Sequence, residues 1–322
     1  MATSNVPRRP INVSALLAQY GILLVFVLLC VVLTFANPFF LTEQNISNVL
    51  RQTSINGILA IGMTYVILTG GIDLSVGSVL AFSSMVAASL VSGEQPQGVF
   101  VAIMAGLGTG AALGMVNGLL VSRFGVPPFV ATLGMLSVAR GLTFIYTDGT
   151  PIPNLSPAFR TIGQGFVGPV PVPVFIFAGV ALLFWWVLKY TTFGRYIYAV
   201  GGNERSARTS GVNTRGVLFG AYIIAGSLAG LAGLILTART TSALPQAGVS
   251  YELDAIAAVV IGGTSLSGGT GSVLGTVIGA LIIGVINNGL DLLGVSSYYQ
   301  QVIKGVIIIT AVLLDVSRRR RT

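Results

Sequence analysis

Groups able to carry covalent chemistry are scarce. The 322 residues include 17 Lys and Arg, nine Asp and Glu, no His, and one cysteine, Cys30, inside an apolar run. Without His and with a single thiol, the chain cannot assemble a Ser-His-Asp triad, a Cys-His dyad, a Cys/His metal site or a disulfide framework. It has no G-x-x-x-x-G-K-[ST] phosphate loop, and its two lysines, Lys189 and Lys304, lie in no glycine-rich turn. ATP therefore has no site here. Asp73, Glu252, Asp254 and Asp291 sit at ends or interruptions of apolar stretches, unlike the mid-span relay of a proton- or sodium-coupled carrier. No catalytic residue, cofactor or metal site is expected, and an intramembrane enzyme is disfavoured because nucleophile and base are both missing.

One polar segment, residues 192–214, has spacing with a purpose. Asn203 suits a helix N-cap and Glu204 the positive first turn. Arg208 stands four residues after Glu204, and Gly211 can end the helix. Arg205, Ser206, Ala207 and Ser210 fill out one or two turns. So short a helix is marginal alone, so it either docks into a groove on another protein or belongs to a basic loop that only fixes topology.

The elements that must hold these residues are membrane helices. The chain is 53% hydrophobic and 8% charged, where a soluble domain carries about a quarter charged residues. Its 42 glycines and 13 prolines lie among apolar runs, which excludes disorder and collagen. The expected fold is all-α and polytopic, with about ten transmembrane helices of roughly 20 residues each. The stretches are 16–36, 55–70, 74–92, 98–122, 126–147, 172–190, 215–237, 250–263, 271–290 and 299–315. The second, third and eighth are short or rich in Gly and Ser, so one of them could be re-entrant or broken. The first run is too long for a signal peptide and lacks a small-x-small cleavage site, so it reads as a signal anchor. The division is a cytoplasmic tail 1–15, a transmembrane domain 16–316 and a basic cytoplasmic tail 317–322.

Charge sets the orientation. With a cytoplasmic N-terminus, the inside segments hold Arg8, Arg9, Arg123, Lys189, Arg195, Arg205, Arg208, Arg215, Arg318, Arg319, Arg320 and Arg321, twelve of the 17 bases. Outside loops hold Arg160 and Arg239. This asymmetry favours an even number of spans with both termini inside. It also makes nucleic acid an unneeded explanation for the net charge of +8. Arg51, Arg140 and Lys304 fall in or near spans, where snorkelling or pairing competes with a solute-binding role.

Glycines recur every four residues at Gly106, Gly110, Gly114 and Gly118, and again at Gly271, Gly275 and Gly279. Each set is expected to form a smooth face that packs against another helix. GGIDLSVGSVL at 70–80 resembles GGTSLSGGTGSVL at 262–274. The pair reads either as an internal repeat with broken helices, a pointer to a transport path, or as two glycine-rich turns alike by chance. Both breaks fall on the cytoplasmic side, which an inverted five-plus-five repeat would not give. The outside stretch 148–171 carries prolines at 151, 153, 157, 169 and 171. It is either a docking surface or a stiff connector.

Four segments together carry a resemblance: GIDLSVGS at 71–78, FGRYIYAVGGNE at 193–204, YELDAIAAVVIGGTSLS at 251–267 and NNGLDLLGVSSYYQ at 287–300. From about residue 35 to 315 the chain resembles the membrane permeases of ATP-binding-cassette importers for ribose and related sugars. The resemblance implies a homodimer around one central pathway in a bacterial inner membrane. It also implies a separate cytoplasmic ATPase and an external sugar-binding protein. The family's coupling helix maps onto residues 203–211, in agreement with the local reading of that loop. An uncharged sugar needs hydroxyl and amide partners, so Asp73, Ser75, Ser78, Asn287 and Asn288 are pathway candidates, though each could instead tie helices together. The two tails match no family motif and are assigned topology and lipid contact. The alternatives are a permease for branched-chain amino acids or another small polar solute, and an ion-coupled carrier acting alone.

Overall fold

The computed structural model describes residues 13–93 and 95–319. Arg8 and Arg9 of the N-terminal tail, and Arg320 and Arg321 of the C-terminal one, lie outside the described residues. The described chain is mostly helical. In order the helices are α1 (Val13–Ala36), α2 (Glu43–Leu68), α3 (Val76–Val91), α4 (Val99–Ser122), α5 (Pro128–Thr147), α6 (Pro157–Gln164), α7 (Val172–Tyr190), α8 (Thr192–Gly202), α9 (Glu204–Thr209), α10 (Thr214–Thr240), α11 (Tyr251–Ile261), α12 (Val273–Leu292) and α13 (Ser297–Arg319). A two-stranded hairpin, β1 (Phe166–Val167) and β2 (Val170–Pro171), follows α6. Each of the ten apolar stretches contains a helix. Among the described residues five are long and apolar enough to cross a membrane: α4, α5, α7, α10 and α12.

The core follows from two helices. From Thr53 to Leu68 every residue of α2 is buried, as expected of a run apolar on all sides; α7, α10, α11 and α12 pack around it. The second hub is α10, which packs on α2, α3, α4 and α6. Outer helices bury one stripe only. In α4 it is Ala102, Gly106, Gly110, Gly114, Gly118 and Val121 with Asn117, while Phe100, Met104 and Met115 point outward.

Apolar side chains gain little by leaving lipid for protein, so close backbone approach has to hold such helices together. A Cβ on Gly110 would collide with the Gly226 carbonyl, and one on Gly226 with the Gly110 carbonyl. Gly114 meets the Tyr222 carbonyl, Gly230 the Gly106 carbonyl, and Gly118 packs on Phe219. On the second set, Gly279 approaches Ala258 of α11 and Gly275 approaches Gly262, the residue that caps that helix. Gly271 departs from the expected stripe. It precedes α12 in an irregular turn with φ +150° against Thr264, because Ser272 caps the helix by accepting from the Gly275 N–H. Residues 317–319, expected as tail, continue α13.

Candidate functional site

At one end of the bundle, the polar segment folds as its residues dictate. The Asn203 side chain accepts from the Ser206 N–H at 2.9 Å, capping α9. Arg208 reaches Glu204 at 2.6 Å, and Thr214 donates to the same Glu204 oxygen at 3.2 Å, tying α9 to the start of α10. Gly211 turns the chain at φ +85°. Ala207 is the one buried residue of α9; the rest of the helix stands exposed. The preceding α8 has no counterpart in the sequence reading. Its local signal was Thr191, whose hydroxyl accepts from the Gly194 N–H at 3.1 Å.

Behind α9 the two glycine-rich breaks meet. The Gly269 N–H donates to the Leu68 carbonyl at 2.9 Å. Gly201, at the end of α8, lies against Leu68 and Gly269, and Gly268 against Gly70 and Gly201. The Tyr198 hydroxyl donates to the Gly271 carbonyl at 2.9 Å. The end of α8 therefore touches both breaks at once.

The five polar pathway candidates are all buried within the fold. Asp73 accepts from the Ser75 N–H at 2.8 Å and pairs with the Ser75 hydroxyl at 2.6 Å, and Asn117 of α4 donates to that hydroxyl at 2.9 Å. Ser78 is 2% exposed in α3. Asn288 and Asn45 of α2 exchange amide hydrogen bonds of 2.7 and 3.0 Å, and Asn287 donates to Asp254 at 3.2 Å.

Other charged residues converge on the segment between α10 and α11. Residues Ile152 and Ala243 pair as a bridge beside α6, after which the chain turns back and Gly248 reaches Gly77 at the foot of α3. From there α11 rises only 11 residues, about 16 Å, roughly half of a 30 Å hydrocarbon layer. Arg140 of α5 donates to the carbonyls of Pro245 (2.7 Å) and Ala247 (2.9 Å). Lys304 of α13 lies 3.0 Å from both Asp254 oxygens. Glu252 sits in the space left by Gly77 and interacts electrostatically with Arg140. Arg51, by contrast, is at the α6 end, bonded to the Gln164 carbonyl at 2.8 Å and stacked over Phe166. The sequence placed Arg140 and Lys304 near spans without their acceptors. Backbone carbonyls leave no signature, and Asp254 is 50 residues from Lys304.

Interrupted helices around a buried polar centre, a short helix projecting from one end and an apolar exterior define a multi-pass membrane permease subunit. Residues 45–312 match the family described as branched-chain amino acid transport system / permease component, and the chain belongs to that family of transport subunits. It is 51% identical over 311 residues to the ribose import permease protein RbsC of Bacillus subtilis (strain 168), spanning 96% of each chain. To the protein of that name from Escherichia coli (strain K12) it is 49% identical over 319 residues, 98% of this chain and 99% of the other. The D-allose transport system permease protein AlsC of the same strain is 41% identical over 310 residues, 96% of this chain and 94% of that one. No solved structure matches the chain.

Proposed function

We propose that the chain forms the translocation pathway of a binding-protein-dependent importer for ribose or a closely related monosaccharide, working as a homodimer in the bacterial inner membrane. The observation that carries this reading is end-to-end identity near one half with permeases named for ribose, falling to 41% for one named for D-allose. In this reading α9 is the seat of a cytoplasmic ATPase, and both termini lie on its side of the membrane. Ten crossings follow, with the eighth made of the turned-back segment and α11 together. Residues 148–171 face outward, where the hairpin exposes Phe166 and Val167 to a sugar-loaded binding protein. The homodimer is supported by the mid-depth face around Arg140. Gln246 is exposed there on irregular backbone and Glu252 is partly exposed, and hydrocarbon does not tolerate such a face. A second copy across an aqueous path covers it.

The five buried polar residues then shape the breaks and hold α2, α3, α11 and α12 in register for each state of the cycle. The family description favours a second reading, branched-chain amino acids as cargo. Uptake into vesicles holding the permease and an ATPase, with ribose-binding protein outside, separates the two. Labelled ribose should accumulate only with ATP and binding protein. Uptake of leucine when a leucine-binding protein replaces the ribose-binding protein would favour the second reading, and ribose uptake without any ATPase would favour a carrier acting alone.

A further inference from the structure

Four ionisable side chains meet around the turned-back segment, and two of them are spent on each other: Asp254 and Lys304 form a bidentate pair that locks α11 to α13. Arg140 and Glu252 are arranged differently. Arg140 uses Nη1 to hold the loop by two carbonyls, and both side chains stay partly exposed. Between them Gln246 is exposed outright. The neighbouring face of α5 is smooth: a Cβ at Gly134 or Gly141 would meet open space, and Ser137 is exposed beside them.

We propose that this surface, residues 244–250 flanked by Arg140 and Glu252, is the internal contact at which the permease feels its solute. The inference rests on the reading of the chain as a monosaccharide importer subunit and adds where and how the sugar is met. The chemistry fits a neutral polyol. A guanidinium supplies donors in a fixed fork, a carboxylate supplies acceptors, and an amide supplies both. One positive and one negative charge leave no net attraction for an ion. Irregular backbone at this depth is stable only where it lines protein or water, so the surface does not face lipid, and partly exposed ionisable groups favour the water-filled path. The sequence candidates at Ser75, Ser78, Asn287 and Asn288 are buried within the protomer, whereas this surface is reachable.

Two measurements test it, the first in a Cys30→Ser background. Gln246→Cys should react with a small, charged, water-soluble thiol reagent at least about tenfold faster than Leu183→Cys on the outer face of α7, because a thiolate forms in water and not in hydrocarbon. Equal, slow labelling would overturn the proposal. In reconstituted vesicles Glu252→Gln should change the ratio of ribose to allose uptake by about tenfold, the size of one hydrogen bond to a charged group. An unchanged ratio in a transporting variant would overturn the assignment of Glu252 as a solute contact. A Glu252→Gln variant that fails to assemble leaves the decision to the labelling rates. A wild type that takes up no monosaccharide at all defeats the importer reading and the sugar assignment with it. A wild type that transports normally beside an unchanged ratio defeats this inference alone.

Discussion

A side chain added at Gly110 lands on the carbonyl of Gly226, and one at Gly226 on the carbonyl of Gly110. Backbone cannot yield as a flexible side chain can, so Gly110→Leu is expected to cost at least the roughly 1–3 kcal/mol of ordinary overpacking. Thermal stability of the detergent-solubilised protein should fall accordingly; unchanged stability would mean that α4 and α10 do not touch there. Lys304 and Asp254 make a second residue-level case. Lys304→Met leaves a carboxylate that is only 3% exposed without its partner, a loss of about 3–5 kcal/mol by analogy with other buried pairs. Asp254→Asn combined with Lys304→Met removes both charges and should recover most of that loss. A double variant no more stable than Lys304→Met alone would contradict the pairing. These examples also show what a sequence can disclose. The glycine spacing of α4 was legible because it is local and periodic. The reciprocal amides of Asn45 and Asn288, 243 residues apart, have no local trace.

Gly201 controls how elements meet, because it closes the gap between the end of α8, the end of α2 and the second break. Gly201→Val would drive a side chain into the Leu68 carbonyl and the Gly269 amide. We expect uptake to be lost in this variant while membrane insertion persists; normal uptake would show that the breaks tolerate separation. Helices with strong local signals were readable to within a few residues. Asn203, Glu204, Arg208 and Gly211 mark α9 at both ends, and Val172–Tyr190 coincides with its apolar run. Where signals were distant, the reading fell short. The first turns of α2, from Glu43 to Arg51, look too polar for a span, yet Arg51 is satisfied by the α6 hairpin. The stretch 250–263 reads as a short span, and only the approach of Gly248 to Gly77 reveals that α11 starts part-way through the bundle.

For the molecule as a whole, orientation comes first. In the proposed topology twelve bases fall on the side of both termini and two on the other, the asymmetry expected if that side is the cytoplasm. A reporter active only in the cytoplasm, fused after residue 322, should give signal. Activity from a reporter that works only outside would reverse the topology and move α9 away from any ATPase. In the proposed function an ATPase grips this permease through α9, whose one buried anchor is Ala207. A ligand-driven shift needs a contact that differs between states, and losing it uncouples the two equilibria. The direct measurement is sugar uptake together with sugar-stimulated ATP hydrolysis, in vesicles reconstituted with ATPase and binding protein, for the wild type, Glu204→Lys and Gly211→Pro. Both variants should insert and fold, since only Ala207 of α9 reaches the packed core and the substituted Glu204 and Gly211 are exposed. Uptake should fail in each, and hydrolysis should no longer respond to sugar-loaded binding protein. Wild-type uptake and wild-type stimulation in both variants would contradict the account.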